Sequence, residues 1–312
     1  MVQTVLVTGV SGFIAAHVVD ALLRKGYNVR GTVRSEQSAS GVLQTHSKYP
    51  GQVSISIVPD ITAPNAFGEA VQDVDGIIHS ASPFILDATD FDGQLFQPAI
   101  QGTLSILEAA RKHNPRISRI VITSSFASAI DPNQGMRPGY VYAEEDWNPV
   151  TKETAASGGA EFRCNYPVAS PGIWTGDPPC ARRDWSSLNT SSRDIYRLID
   201  GSEKEVPDTS FWALADVQDV AEAHVRALEE SAAAGQRYLI ANSAYSYQQV
   251  CDIIRENFPQ FHNLTPRGTP GARLPPVYKL DTSKAVHQLG MSFRPREETI
   301  VDTVESLREL HQ

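Results

Sequence analysis

A chain of 312 residues exceeds the ~250–300 at which one hydrophobic core stops growing, so two lobes around a cleft are expected. With 27 Lys and Arg against 36 Asp and Glu the net charge is −9, and no basic run is present to neutralise a row of phosphates, which argues against a nucleic-acid partner. No apolar run approaches the ~18 residues of a membrane span, and Met1-Val2-Gln3 leads into TVLVTG without a charged and apolar leader, so the expectation is a cytoplasmic protein with no membrane partner.

From Thr4 to Ser125, short β-rich runs alternate with helical patterns: TVLVT (4–8), NVRGTV (28–33), VSISIV (53–58), DGIIHS (75–80) and RIVITS (119–124). That alternation predicts βαβ units and a parallel sheet, an α/β fold of the Rossmann type, doubly wound. Between the first two runs, AAHVVDALLRKG sets apolar residues at helical spacing, puts Arg24 and Lys25 in the last turn and stops at Gly26. QPAIQGTLSILEAARKH (97–113) places Ala99, Thr103, Ile106, Leu107 and Ala110 on one helical face. Residues 131–186 are rich in Pro, Gly, Asn and Ser, and only TKETAAS (151–157) is expected to be helical there. Regular patterns return with FWALADVQDVAEAHVRALEE (211–230), a strand leading into a helix, then the strand RYLIA (237–241) and the helix YSYQQVCDIIREN (245–257). EETIVDTVESLREL (297–310) closes the chain with Ile300, Val301, Val304, Leu307 and Leu310 in one apolar stripe. The expected division is a dinucleotide-binding domain over 1–160, then the remaining sheet strands and a smaller C-terminal substrate lobe over 161–312.

After the first strand comes Thr8-Gly9-Val10-Ser11-Gly12-Phe13-Ile14-Ala15, with the spacing GxxGxxA. Glycine lets the backbone turn tightly and approach a pyrophosphate, which then sits on the helix N-terminus, and a small third residue lets helix and strand pack closely. Gly9, Ser11, Gly12, Phe13 and Ile14 are the expected cradle. A cradle for NAD usually has an acid near the end of the second strand, whereas a 2′-phosphate wants an arginine. This chain has Arg34 there and its first acid, Glu36, beyond the strand, which favours NADP; the plainer reading of Arg34 is a solvated strand-end charge. Asp60 and Ile61, after the third strand, suit an adenine contact, and Ser80, Ala81 and Ser82, after the fourth, are expected beside the ribose and nicotinamide. Cys164, Cys180 and Cys251 are too scattered for a disulfide framework, and with no CxxC or HExxH no metal is expected.

Taken together, TGVSGFIAAHV, GTVRS, HSASP, VITSSFASA, EEDWNP, DVQDVAEAHVRAL and LDTSKAVHQLG resemble the extended short-chain dehydrogenase/reductase family, over about 1–155 and 187–312. The nearest branch is that of the dihydroflavonol and cinnamoyl-CoA reductases and the fungal aldehyde and ketone reductases. The resemblance implies NADP(H) on the first lobe and a small-molecule carbonyl substrate under the second. It further implies reduction of an aldehyde or ketone to an alcohol, in the manner of fungal secondary metabolism, by a monomer or weak homodimer. In the family a hydride passes to the carbonyl carbon while a Tyr gives a proton to the oxygen, a Lys four residues later lowers that Tyr's pKa, and a Ser hydrogen-bonds the substrate oxygen. Free tyrosine, with a pKa of ~10, is a poor acid-base catalyst at neutral pH without such a cation. Ser125 matches the catalytic serine; read alone, it is a strand-end hydroxyl. Ser170-Pro171-Gly172-Ile173-Trp174 resembles the family's strand end beside the nicotinamide, which implies cofactor contacts at Pro171, Gly172 and Ile173.

One part of the pattern is missing: no tyrosine of this chain has a lysine four residues later. Tyr140 is followed by Glu144, Tyr142 by Asp146, Tyr166 by Ser170 and Tyr196 by Asp200. The helix that would bear the pair is also the expected crossover between a fifth and a sixth strand, and without it helix 97–113 loses a neighbour. Tyr142, Lys152 and Tyr166 fall in the right region to substitute, and Phe84, Trp174 and Trp212 are candidate walls of the substrate pocket. Three functions remain open: an NADPH-dependent carbonyl reductase, a catalytically impaired NADP(H)-binding protein, and a mis-spliced reading of such a reductase.

Overall fold

The computed structural model describes residues 3–82, 90, 92–157, 173–175 and 188–308. It divides into two compact units. One comprises Met1–Asn133, Glu145–Pro171 and Ala221–Arg237, the other Gln134–Glu144, Gly172–Val220 and Tyr238–Gln312.

The first unit is built on a five-stranded sheet of β1 (Thr4–Thr8), β2 (Asn28–Val33), β3 (Val53–Ile57), β4 (Gly76–His79) and β5 (Arg119–Ile122). The order is β3-β2-β1-β4-β5 and every pairing is parallel. Successive side chains of a strand point to opposite faces, and here both faces are covered. Val5 and Val7 of β1 and Ile78 of β4 join a core with Ala15, Val18, Val19 and Leu22, to which Ala221 and Val225 contribute. Leu6 and Ile77, one residue out of phase, join Phe67, Val71, Ile106 and Ala110 on the other side. This is the doubly wound arrangement expected from the sequence. Its strand order reverses between β1 and β4, and in open sheets of this kind ligands bind in the crevice at the carboxyl ends of the strands beside that reversal.

The flanking helices follow from local chemistry. α1 (Phe13–Arg24) ends at Lys25, and Gly26 then takes a φ of 85°, the left-handed conformation that lets the chain turn into β2. α2 (Glu36–Thr45) starts at Ser35, whose hydroxyl accepts from the Ser38 N–H. α3 (Gln97–His113) has the expected bounds, and the expected face is the inward one: Ile106 and Ala110 are buried and Ala99, Thr103 and Leu107 half-buried, with Gly102 and Ala109 buried beside them. At Gly102 a Cβ would lie 2.6 Å from the Ile61 Cδ1, so the missing side chain lets Ile61 pack directly on the helix. Ile100 and Leu104, one turn apart on the same helix, stand exposed.

In the second unit, Ile173–Thr175 pairs in parallel with Leu214–Asp216, and Val141–Tyr142 with Lys279–Leu280. The expected sixth strand of the main sheet is therefore absent among the described residues: Ile173–Thr175 lies in a separate two-stranded sheet. RYLIA is not a strand either. The Leu239 N–H donates to the Glu144 carboxylate at 2.9 Å, and the isolated bridge between Leu214 and Ser243 falls two residues beyond the segment. A side chain has taken the place of a partner strand. Helix Tyr247–Asn257 opens with a full capping box between Ser246 and Gln249, and it packs with Ile300, Val304 and Leu307 of helix Arg296–Arg308 in one core.

Candidate functional site

The crevice between β1 and β4 is shaped by a close approach of two loops. Gly9 follows β1 with a φ of 71°, and a Cβ there would lie 3.1 Å from the Ala81 Cα and 3.2 Å from its Cβ. The loop is pinned from the other side by Thr32, whose hydroxyl accepts from the Gly9 N–H at 3.1 Å and whose carbonyl accepts from Val10 at 3.0 Å. Gly12 is the N-cap of α1, with extended backbone and no side-chain cap. The amides of the first turn, from Phe13 onward, thus meet no capping oxygen, and together with the helix dipole they form an anion seat.

Beneath this loop lies a buried polar pair that was not anticipated from the sequence. The Thr8 hydroxyl accepts from the Ser80 and Ala81 N–H groups, each at 3.0 Å, and contacts the His79 Nδ1 at 2.9 Å. A hydroxyl has two acceptor positions and one proton, so with both positions filled it donates to Nδ1. His79 is thereby fixed as the neutral tautomer with its proton on Nε2. Burial alone pushes its pKa down to about 4 from 6.5.

That shift has a thermodynamic sign. Below pH 6.5 the unfolded chain takes up a proton that folded His79 refuses, so its contribution is present above that pH and is lost as the pH falls toward about 4. The full loss is about 3 kcal/mol. Buried His46, also lowered, adds a loss of the same sign, whereas Asp216 and Asp219, raised by burial, oppose it. The comparison that isolates His79 is the slope of denaturation free energy against pH between 6.5 and 4, which should be shallower in His79→Gln than in the parent. Equal slopes would show that His79 does not resist protonation.

The other expected site residues separate clearly. Arg34 is exposed just past β2 and makes no ion pair among the described residues, whereas Arg30, on the strand itself, donates to the Ala70 and Gln72 carbonyls. The Asp60 carboxylate accepts from the Thr62 N–H at 2.8 Å and the Thr62 hydroxyl at 2.6 Å, bonds that hold its pKa below the usual carboxylate value. Ser80 and Ala81 are half-buried and Ser82 is exposed. Pro171 and Gly172 lie outside the described residues, as do Phe84 and Tyr166, and Ile173 and Trp174 fall in the short strand Ile173–Thr175.

Ser125 caps the single turn Phe126–Ser128: its hydroxyl accepts from the Ala127 N–H at 3.1 Å. It is buried, and as an acceptor in that bond it keeps its own proton for donation. Around it, Thr123 bonds His224 at 2.8 Å and Ser128 donates to the Ser125 carbonyl at 2.7 Å. Two of the substitutes considered for the tyrosine are engaged elsewhere. The Lys152 ammonium pairs with Asp92 at 2.6 Å and lies 4.5 Å from the Phe96 ring centroid. Tyr142 is buried in the second unit between Tyr140 and Tyr278. Trp212, considered as a pocket wall, is buried, and its backbone N–H donates to the Tyr278 hydroxyl.

Comparison with known proteins bears on this geometry. The NAD dependent epimerase/dehydratase family model matches residues 5–152. An oxidoreductase of Schizosaccharomyces pombe is 37% identical over 98% of this chain and 97% of its own. The chain belongs to the extended short-chain dehydrogenase/reductase family. Other members are similar over nearly their whole length: the NADPH-dependent methylglyoxal reductase of Saccharomyces cerevisiae is 31% identical over 98% of both chains. A ketoreductase of Aspergillus niger is 31% identical over 99% of this chain and 98% of its own. Among solved structures, that of a yeast methylglyoxal/isovaleraldehyde reductase complexed with NADPH superposes with a TM-score of 0.91 at 30% identity, covering 99% of each chain. The alignment with the fission-yeast family member spans 335 positions against the 312 residues of this chain, so at least 23 of its positions have no counterpart here.

No described helix is long and apolar enough to cross a membrane.

Proposed function

We propose that the protein is an NADPH-dependent carbonyl reductase that converts an aldehyde or ketone to the alcohol. The observation that carries this reading is the cradle at the carboxyl ends of β1 and β4, where Gly9 at positive φ faces Ala81 and leads to the uncapped start of α1. The NADPH-dependent methylglyoxal reductase and the ketoreductase among its relatives support the same cofactor and substrate class. When bound, NADPH supplies the hydride.

The chain's own residues do the rest. Gly9, Ser11, Gly12, Phe13 and Ile14 seat the pyrophosphate, and Arg34 takes the 2′-phosphate with its two-pronged guanidinium. Asp60 and Ile61 border the adenine through their backbone, since the carboxylate of one is held by Thr62 and the side chain of the other packs over Gly102. Ser80 and Ala81, whose N–H groups are taken by Thr8, meet the cofactor through carbonyls and the Ser80 hydroxyl, with Ser82 beside them. Pro171, Gly172 and Ile173 close the nicotinamide side. Ser125 donates a hydrogen bond to the substrate oxygen and so polarises the carbonyl, and the proton that completes the alcohol comes from solvent water. We place the protein in the cytoplasm as a monomer or weak homodimer.

The purified protein should consume NADPH with a member of a panel of small 2-oxoaldehydes and ketones, and it should prefer NADPH to NADH. Arg34→Ser should cost about 1.5–3 kcal/mol of NADPH affinity, a charge-assisted bond to a phosphate, and leave NADH unaffected. Equal losses for both cofactors would remove Arg34 from the 2′-phosphate site.

A second reading is a catalytically impaired NADP(H)-binding protein. It is favoured by the missing Tyr/Lys pair. General acid catalysis contributes typically 10²–10⁴-fold, so loss of the proton donor slows turnover without touching the cradle. A gene reading that omits part of an exon would also remove the Tyr/Lys pair, and sequencing the transcript across the codons for Ser157 to Ser186 distinguishes it.

A further inference from the structure

Behind Ser125 lies a polar clamp that draws on three separated pieces of the first unit. A turn of three residues holds itself weakly: the Phe126 carbonyl accepts from the Ala129 and Ile130 N–H groups, but the two carbonyls after it have no partner within the turn. Here both trailing carbonyls are taken by one residue. The Asn148 N–H donates to the Ser128 carbonyl at 2.8 Å, and the Asn148 Nδ2 donates to the Ala127 carbonyl at 2.9 Å. The Asn148 Oδ1 accepts in turn from the Val150 N–H at 2.8 Å, which fixes the orientation of the amide. Ser128 is the second hinge of the clamp. Its hydroxyl donates to the Ser125 carbonyl and accepts from the Arg237 Nη2 at 3.4 Å, a long but charge-assisted contact.

Arg237 connects these parts. Its Nη1 donates to the Asp146 carbonyl at 3.2 Å, and its guanidinium lies 3.6 Å from the centroid of the Trp147 ring. Trp147 is 66% exposed, an unusual position for the largest apolar side chain, and the stacked guanidinium accounts for it. One planar cation therefore touches the strip at 146–147 and the turn at 128 at once. Lysine, a point charge on a flexible stem, could not make those contacts together.

We infer that Arg237 is a positioning residue for the reaction: through Ser128, and with Asn148 on the other side of the turn, it sets the direction of the Ser125 hydroxyl. The inference rests on the reading of Ser125 as the group that meets the substrate oxygen. Trp147 serves by holding the guanidinium flat. The clamp touches neither the cradle at Gly9 nor the strand end at Arg34, so cofactor binding does not depend on it.

The test uses the full-length protein and the variants Arg237→Met, Arg237→Lys, Trp147→Leu and Ser125→Ala. Amide hydrogen exchange at residues 126–130 and 148 reads the clamp directly and needs no turnover. Arg237→Met should speed exchange there on the order of tenfold while the strands of the sheet keep their protection. It should lower kcat by about 10- to 100-fold, with KM for the carbonyl and NADPH affinity changed less than about threefold. Arg237→Lys and Trp147→Leu should fall between it and the parent. Unchanged exchange and unchanged kcat in a folded Arg237→Met would overturn the inference, as would a loss of NADPH affinity parallel to kcat, which marks general destabilisation. Should Ser125→Ala leave turnover untouched while Arg237→Met still loosens the turn, the reading of Ser125 is wrong and the clamp stands as structure. If Ser125→Ala abolishes turnover and Arg237→Met does nothing, the clamp alone fails.

Discussion

Replacing Gly9 with alanine is expected to weaken NADPH binding by about 100-fold, the equivalent of two steps of 1.4 kcal/mol. Two costs combine at this position. A φ of 71° places an L-residue in the left-handed region, at roughly 1–2 kcal/mol. The new methyl would also stand 3.1 Å from the Ala81 Cα, and backbone cannot swing aside as the end of a flexible side chain can. Ala81 is itself held by the Thr8 hydroxyl, so the loop opposite Gly9 has little freedom to retreat. Relief must come from opening the cradle, which moves the amides of α1 off the pyrophosphate. Titration of NADPH fluorescence against Gly9→Ala measures this directly. The control is Gly26→Ala, where φ is 85° but nothing lies within 4 Å of the new Cβ: stability should fall while affinity holds. Equal affinity in Gly9→Ala and the parent would mean that the pyrophosphate is not seated there.

The second large effect is expected at Ser125. Removing one donor aimed at a reacting oxygen typically costs 10²–10³-fold in kcat, and Ser125→Ala should fall in that range with NADPH affinity unaltered. The same substitution removes the cap of the Ala127 N–H, so a stability loss of about 0.5–2 kcal/mol should accompany it. Ser125→Thr, which keeps the cap acceptor and the donor, should restore both properties, and a Ser125→Ala that is slow while still folded at the assay temperature would assign the loss of kcat to chemistry. A Ser125→Ala variant with the kcat of the parent would place the chemistry at another residue.

Much of the fold is legible in the sequence because it is written in local signals. The two-residue alternation of TVLVT and GIIH separates the two cores, and Gly26 and Ser35 mark helix ends by chemistry that acts within a few residues. Gly9 and Arg34 are legible for the same reason, since a turn and a strand end fix their places. What escapes is decided by residues far apart in the chain. Thr8 and His79 are separated by 71 positions and Arg237 and Ser128 by 109, and neither pairing leaves any periodicity to read. RYLIA has the composition of a strand, yet a Glu144 carboxylate 95 residues away takes the place of its partner. The inward face of α3 is legible from its spacing, but the part that Gly102 plays in it is not, because Gly102 matters through the side chain it lacks and only Ile61 reveals that. The EEDWNP motif was legible as a family mark, but not as the brace that Asn148 and Trp147 provide.

The most direct test of carbonyl reduction is a single-turnover reaction with NADPH bearing deuterium at the transferable position of the nicotinamide, mixed with excess carbonyl substrate. The alcohol recovered should be one mass unit heavier, with the deuterium on the former carbonyl carbon, and its yield should follow the amount of protein-bound NADPH. Tight NADPH binding with no deuterated alcohol from any aldehyde or ketone would contradict the reductase and leave a protein that holds its cofactor without using it.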